Sequence, residues 1–390
     1  MTNFRLALRN LLGAGTRTWL NVTVLSFAFV AIIYVQGLLQ GTWRQAQDAV
    51  IRSECAGGQY WQTDYDPFDP VSLTDAHAPV PPVLADMARQ GKAVPVLVTQ
   101  GSIYPAGRVR PVLLKGIDPD QKLLDLPTRS LAGADGELPA FIGGQMAQST
   151  GLKTGDLVTV EWRDAHGTFD ARQLHIVQVM NTIVQEIDVG QVWLPLAQLQ
   201  QMTAMEGEAT LVTVSRDTKS PAAIPGWTFR SPGYLLKDMR AVIQSKSASS
   251  SIMFVILMLL AMLAIFDTQV LSIFRRRREM GTLMALGMTR GGVIRLFTIE
   301  GAMHGVLAAL VAALYGIPLL VWTARTGFAM PSATQSMGFN VGSRIFPAYG
   351  AGLVLGTTIL VLVVTTIVSY MPTRRISKLK PTDALRGKWT

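Results

Sequence analysis

Four stretches of this chain are each long and apolar enough to cross a bilayer, and this constrains its fold more than any other feature. A helix needs about 20 apolar residues to traverse roughly 30 Å of hydrocarbon. Residues 18–41 carry no charge, 248–274 carry only Asp267, 300–324 are uncharged beyond Glu300, and 347–372 are uncharged. The remaining sequence is too polar, or too interrupted by Pro and Gly, to span. Charged residues are 16% of the chain, against about a quarter in soluble domains. The expectation is a membrane α-helical protein with four transmembrane helices. The first stretch is too long for a signal-peptide core and lacks a small-residue cleavage site, so it reads as a retained anchor.

The charges between these stretches set the orientation. Lys and Arg concentrate in short cytoplasmic flanks. The leader 1–17, the loop 275–299 and the tail 373–390 together hold 15 basic residues and two acids, Glu279 and Asp383. Residues 42–247 hold 18 basic and 22 acidic residues, net −4, and the short loop 325–346 holds only Arg325 and Arg344. Both termini and the 275–299 loop are therefore expected in the cytoplasm, with 42–247 as a large extracytoplasmic domain. Topology accounts for the overall charge of +9, and no nucleic-acid partner is needed.

The inserted domain reads as mixed α/β. Pro82–Arg89 is expected as a helix opened by proline. Val94–Tyr104, Val109–Ile117, Ala140–Ile142 and Leu157–Trp162 are β-branched or alternating, as strands are. A short helix through Met146 and Ala147 follows the third of these, and Gly151–Asp156 is a turn into the fourth. A strand at 189–193, a helix from Pro195 and a strand at 209–215 complete the run, and 234–245 is helix-like. The polar stretch Ser247–Ser251 reads equally as a hinge or a flexible linker. No catalytic constellation emerges: His77, His166 and His175 have no metal-ligand spacing, and the carboxylates favour Asp-Pro and Asp-Gly turns. The one cysteine, Cys55, excludes an intrachain disulfide and reads as an ordinary buried or surface thiol. Tyr60, Trp61, Tyr65 and Phe68 form either an exposed loop for a partner or lipidic substrate or part of the domain core.

The richest stretch follows the second span. Four arginines, Arg275–Arg278, lead into Glu279, Met280, Gly281, Thr282, Leu283, Met284, Ala285, Leu286, Gly287, Met288 and Thr289. Its apolar residues recur near helical spacing and Gly287 bounds them. Periodicity alone leaves two readings open: a helix docked in a partner's groove, or a membrane-surface helix held by anionic lipids. The stretch resembles the "R-E-x-G-x-L-x-A-L-G-x-T" signature of FtsX-like permeases, a family that includes MacB exporters and the lipoprotein-releasing LolC and LolE subunits. Leu6–Leu12 resembles the family's leader, Gly151–Asp156 its "G-L-K-x-G-D" turn, and Arg375–Arg386 its "D-P-x-x-A-L-R" tail.

By that resemblance, Arg278, Glu279, Met280, Gly281, Leu283, Ala285, Leu286 and Gly287 form the coupling helix that enters a cytoplasmic ATPase dimer. The permease pairs with a second copy or a related chain. It passes ATP-driven closure to the outer domain by mechanotransmission. The chain has no phosphate-binding loop, so ATP and Mg are expected on the partner, with no cofactor, metal or catalytic residue here. Gly116–Pro119 and the Asp267-Thr268-Gln269 run resemble the lipoprotein-releasing branch. The implied function is lipoprotein release from the bacterial inner membrane, with membrane lipids and a lipoprotein or amphiphile as contacts and room for a periplasmic or outer-membrane partner. MacB-like efflux and FtsX-like signalling to cell-wall hydrolases are the alternatives. Asp267, Glu300 and His304 are the intramembrane polar residues expected to face protein. Gly301-x3-Gly305 and Gly352-x3-Gly356 would allow close helix packing.

Overall fold

The computed structural model describes residues 16–69, 71–133, 137–182, 184–218, 223–242, 244–245, 277–329 and 344–376, with isolated positions between 252 and 270. The chain divides into two units, one built from Arg44–Val242 and one containing the long helices. Helix α1, Thr16–Val50, passes through a π-helical turn, Ile51–Cys55, before the first strand.

The strands of the inserted domain are β1 Gln59–Gln62, β2 Ala78–Pro79, β3 Ala93–Ile103, β4 Arg110–Ile117, β5 Leu138–Gly143 and β6 Leu157–Arg163. They continue with β7 Phe169–Met180, β8 Gln191–Pro195, β9 Glu208–Ala209, β10 Leu211–Val214 and β11 Trp227–Arg230. Among them lie the helices α2 Pro82–Arg89, α3 Gly144–Thr150, α4 Gln185–Gly190, α5 Leu196–Thr203 and α6 Pro232–Leu235. In the main sheet β3, β4, β8, β5, β7 and β6 follow one another, and β6 pairs back onto β3. Six strands therefore close into a barrel. On the same sheet β10, β1 and β11 extend outward from β3.

Alternation explains both faces. Successive strand residues point to opposite sides. One set fills the barrel: Leu138, Ala140 and Ile142 of β5, Val158, Val160 and Trp162 of β6, Val192 and Leu194 of β8. The opposite set, including Val94, Val96 and Val98 of β3, Phe141 and Trp193, builds a second core with Val50, Cys55 and Leu236. At Gly101 one edge of β3 passes from β10 to β6. A Cβ there would lie 2.8 Å from Leu114 Cδ1 and 3.0 Å from the Glu161 carbonyl oxygen, so only glycine lets three backbones meet.

The expected Pro82–Arg89 helix is found with those bounds, and the five strands read from residues 94 to 193 appear within a few residues of the expected ends. The expected 209–215 strand is split between β9 and β10. Sequence reading missed β1, β2, β7 and β11. Cys55 is buried.

The helical unit contains α1 up to Trp43, α7 Arg277–Ala285, α8 Arg290–Thr326 and α9 Ala351–Ile376, with a small pair β12 Phe328–Ala329 and β13 Arg344–Ile345. Among the described residues three helices are long and apolar enough to cross a membrane, within Val22–Cys55, Arg290–Thr326 and Ala351–Met371. The 248–274 stretch falls mostly outside the described residues, so four spanning helices are not seen here; its described positions, among them Ile252, Ile256, Leu259 and Leu263, are helical. Glycines set the packing of the others. A Cβ on Gly301 would collide with Ser369 of α9, one on Gly305 would lie 2.7 Å from Thr365 Oγ1, and one on Gly316 2.6 Å from Val30 of α1. Gly352 and Gly356 instead face open space. On α1, Gly37 accepts a hydrogen bond from Ala348 N at 2.8 Å, and Gly41 lies against the Phe346 backbone.

Candidate functional site

The signature stretch folds as a helix, a tight stop and a second helix. Helix α7 ends where Gly287 takes φ +95°, a conformation that costs a residue with a Cβ about 1–2 kcal/mol. Gly287 N donates to Met284 O at 3.1 Å and Met288 N to Leu283 O at 3.0 Å. This hydrogen-bond pair is the glycine-dependent Schellman stop, which satisfies carbonyls left open at a helix C-terminus. Two residues on, Thr289 is extended, and its hydroxyl accepts from Gly292 N at 3.2 Å, capping α8. The Leu-Gly-x-Thr part of the signature therefore encodes the corner itself.

Packing fixes which side of the corner is free. Leu283, Met284 and Met288 lean on Val293, Leu296 and Phe297 of α8, and Gly281 is buried. The apolar stripe that periodicity offered to a partner or a membrane is thus partly spent inside the chain. Glu279, Ala285, Leu286 and Gly287 remain exposed, and Leu286 is 79% exposed. Arg278 and Met280 fall in α7, their side chains outside the described residues. The corner is a small rigid knob with one large apolar side chain at its tip.

The polar residues of the spans separate. Asp267 lies outside the described residues. Glu300 is buried in α8, and His304, one turn on, donates from Nδ1 to the Glu300 carbonyl oxygen at 2.9 Å. Glu300 is next to Gly301, where a Cβ would collide with Ser369 of α9.

The four aromatics also separate. Tyr60 is 2% exposed, in a core cluster against Phe229. Trp61 packs edge-on against Tyr65 at 5.0 Å. Burial, helped by the Glu54 and Asp66 carboxylates, pushes the Tyr65 hydroxyl well above its ordinary pKa. Phe68 alone is largely exposed, at 75%. The four do not form one exposed loop: Tyr60 belongs to the core, because its alternate position on β1 faces inward.

Sequence reading missed an internal polar anchor. Lys115 Nζ lies 3.0 Å from Glu54 Oε1, Gln191 Nε2 donates to the same oxygen at 3.3 Å, and Lys115 Nζ sits 5.0 Å above the Trp193 ring. The network ties the turn after α1 to β4 and β8. Its members are far apart in sequence, so no local pattern marks it. Two further pairs, His77 with Glu208 and His175 Nδ1 with Glu137 Oε2 at 2.8 Å, are partly exposed contacts beside the strands.

Residues 251–381 match the family model described as FtsX-like permease C-terminal. The chain is 23% identical over 336 residues to the lipoprotein-releasing system transmembrane protein LolC of Neisseria meningitidis serogroup B, covering 75% of this chain and 77% of that one. It is 22% identical over 338 residues to the LolC of Xylella fastidiosa strain 9a5c, covering 76% and 78%. Among solved structures, the extracellular domain of the noncanonic ABC-type transporter YknZ from Gram-positive bacteria is similar at 15% identity and a TM-score of 0.27, over 42% of this chain and 84% of that one.

Proposed function

We propose that this chain, which matches the FtsX-like permease C-terminal model over 251–381 and is 23% identical to a LolC, is an FtsX-like ABC permease of the LolC type and the non-catalytic membrane subunit of a lipoprotein-releasing transporter. A separate ATPase dimer, which binds ATP and Mg, docks from the cytoplasm onto the α7–α8 corner. The permease works paired with a second copy or a related chain. The domain between α1 and the 248–274 stretch lies outside the membrane, with both termini inside, and it handles the lipoprotein.

The corner carries this reading. A knob can pass on a push only if it does not deform, and this one is held by the Gly287 stop, the Thr289 cap and the Leu283–Phe297 packing. Its exposed tip, Leu286, suits an apolar pocket on a partner; burying one leucine gives about 1.5–3 kcal/mol. Leu286 touches no core, so Leu286→Asp leaves the fold intact and should abolish stimulation of ATP hydrolysis by the permease in the reconstituted complex. A depletion strain complemented with that variant should retain lipoproteins in the inner membrane. Normal sorting in the depleted strain would exclude lipoprotein release, and an unimpaired ATPase complex would exclude the corner as the docking point.

A further inference from the structure

We infer that the π-helical turn Ile51–Cys55 is a release catch at the end of α1: residues 51–58 open as one unit while the barrel stays folded, and the Glu54–Lys115 pair holds them shut. Such turns are rare and concentrate at functional sites. This one runs into a second irregularity, Ala56, at φ 42° and ψ −106°. Residues with a Cβ avoid that region, and it persists only where the surroundings over-determine it. The surroundings do so here, from distant parts of the domain. Arg52 O accepts from Asp125 N at 2.9 Å, and Gly57 N donates to Val214 O at 2.8 Å. Glu54 O accepts from Gln59 Nε2 at 2.9 Å and from Thr213 Oγ1 at 3.2 Å. The Glu54 carboxylate takes Lys115 and Gln191, with the Glu54 and Lys115 side chains only 19% and 12% exposed. These partners stand on β1, β4, β8, β10 and the loop carrying Asp125, so the turn closes or opens as a whole.

Three costs concentrate at the closed turn. The first is the Ala56 backbone. The second is the largely buried ion pair, whose lost hydration can exceed its attraction. The third is a pair of polar atoms on one face of β8: Gln191 Oε1 and Trp193 Nε1 are buried and have no hydrogen-bond partner among the described residues. Opening into water relieves all three and leaves the barrel core of β5, β6 and β8 untouched. Local opening is therefore cheaper than unfolding the barrel, and segments that move in function come from this low-stability end of a structure. The inference rests on contacts inside the inserted domain alone and is independent of the cargo.

Cys55, buried in the turn and the chain's one cysteine, reports the opening. The test treats the full chain in detergent with iodoacetamide and follows alkylation by mass spectrometry at low urea concentrations. The reference is Val160→Cys in a Cys55→Ala chain, because Val160 is fully buried in the barrel core and reacts only when the barrel unfolds. Cys55 should be alkylated at least about 100-fold faster than the reference thiol, at a rate that barely depends on urea, since little surface is exposed. Lys115→Met leaves the Glu54 carboxylate buried and unpaired and should speed Cys55 alkylation about 100-fold. Gln191→Met removes one hydrogen bond to that carboxylate and should speed it about fivefold. If Lys115→Met fails to fold, Gln191→Met and the wild-type comparison decide. Two outcomes would overturn the inference. Equal rates and equal urea dependence for Cys55 and the reference would mean that the turn opens only when the barrel unfolds. An unchanged Cys55 rate in the folded variants would mean that Glu54 is not the catch.

Discussion

In the inserted domain large side chains determine the structure. Trp193, Phe141, Leu97 and Leu114 are each at most 2% exposed, and Trp193 stacks on Phe141 at 5.8 Å with ring planes 7° apart. In the helical unit glycines let neighbouring segments in where a Cβ would not fit: Gly301 against Ser369, Gly305 against Thr365, Gly316 against Val30. Many of its large residues, such as Leu310, Leu314, Ile359 and Val363, point outward, while Leu25, Phe29 and Leu296 are buried. Water drives the first arrangement, because burying apolar area removes it from solvent. Lipid is as apolar as leucine and offers no such gain, so the second depends on close backbone approach and on side-chain hydroxyls that bond their own helix. The buried hydroxyls of α9 do this: Ser369 donates to Thr365 O at 2.8 Å and Thr373 to Ser369 O at 2.7 Å.

If this contrast is right, truncation should hurt the domain and enlargement should hurt the bundle. The largest effect is expected for Trp193→Ala, which removes the ring under Lys115 and beside Phe141 and should cost about 3–5 kcal/mol. Chemical unfolding of the purified full chain, followed by the loss of its barrel β signal, measures this. A cost below about 1 kcal/mol would mean the second core is not what holds the domain. Trp193→Phe should be mild, since the Trp193 Nε1–H has no hydrogen-bond partner among the described residues.

In the bundle, Gly301→Ala places a methyl against Ser369 Oγ and Cβ. The Cβ cannot rotate away, so α8 and α9 must separate, at about 1–3 kcal/mol. Gly352→Ala enters open space and should be neutral or slightly stabilising, as alanine exceeds glycine in helix propensity by about 1 kcal/mol. Thermal unfolding in detergent compares the two directly. Equal effects would show that glycine there serves the backbone and not the contact.

The same contrast governs what could be read from sequence. Strands buried on one or both faces announced themselves, because Val158, Val160 and Trp162 alternate with exposed positions. β7 did not, because its first five residues, Phe169 to Gln173, are all exposed and mostly polar, and only its second half, with Leu174 and Ile176, has a buried apolar face. At the corner, Leu286-Gly287-Met288-Thr289 carried its own stop and cap, each a local effect needing no distant partner. Which face of α7 stays free was not legible: Leu283 and Met284 have the same spacing whether they meet α8 or another protein. The Glu54–Lys115–Gln191 anchor was equally hidden, since its partners stand 61 and 137 residues apart.

The smallest expected effect tests whether the domain's turns, unlike its core, rest on charge. In the β6–β7 turn, Asp164 accepts backbone hydrogen bonds from Thr168 N at 2.7 Å and His166 N at 2.9 Å. The bond from Thr168 is the main cause holding its carboxyl below the ordinary value of 3.8. A carboxyl whose folded pKa is depressed binds its proton less readily folded than unfolded. Its contribution is therefore complete above the unfolded value and fades as pH falls from there through the folded one. Asp164→Asn keeps the acceptor oxygen without the charge, so the wild type should lose its advantage over the variant below about pH 4. Amide hydrogen exchange at Thr168 across that range follows the difference. A gap between the two proteins that persists unchanged at low pH would mean that the shape of the turn, and not the carboxylate charge, holds this end of the barrel.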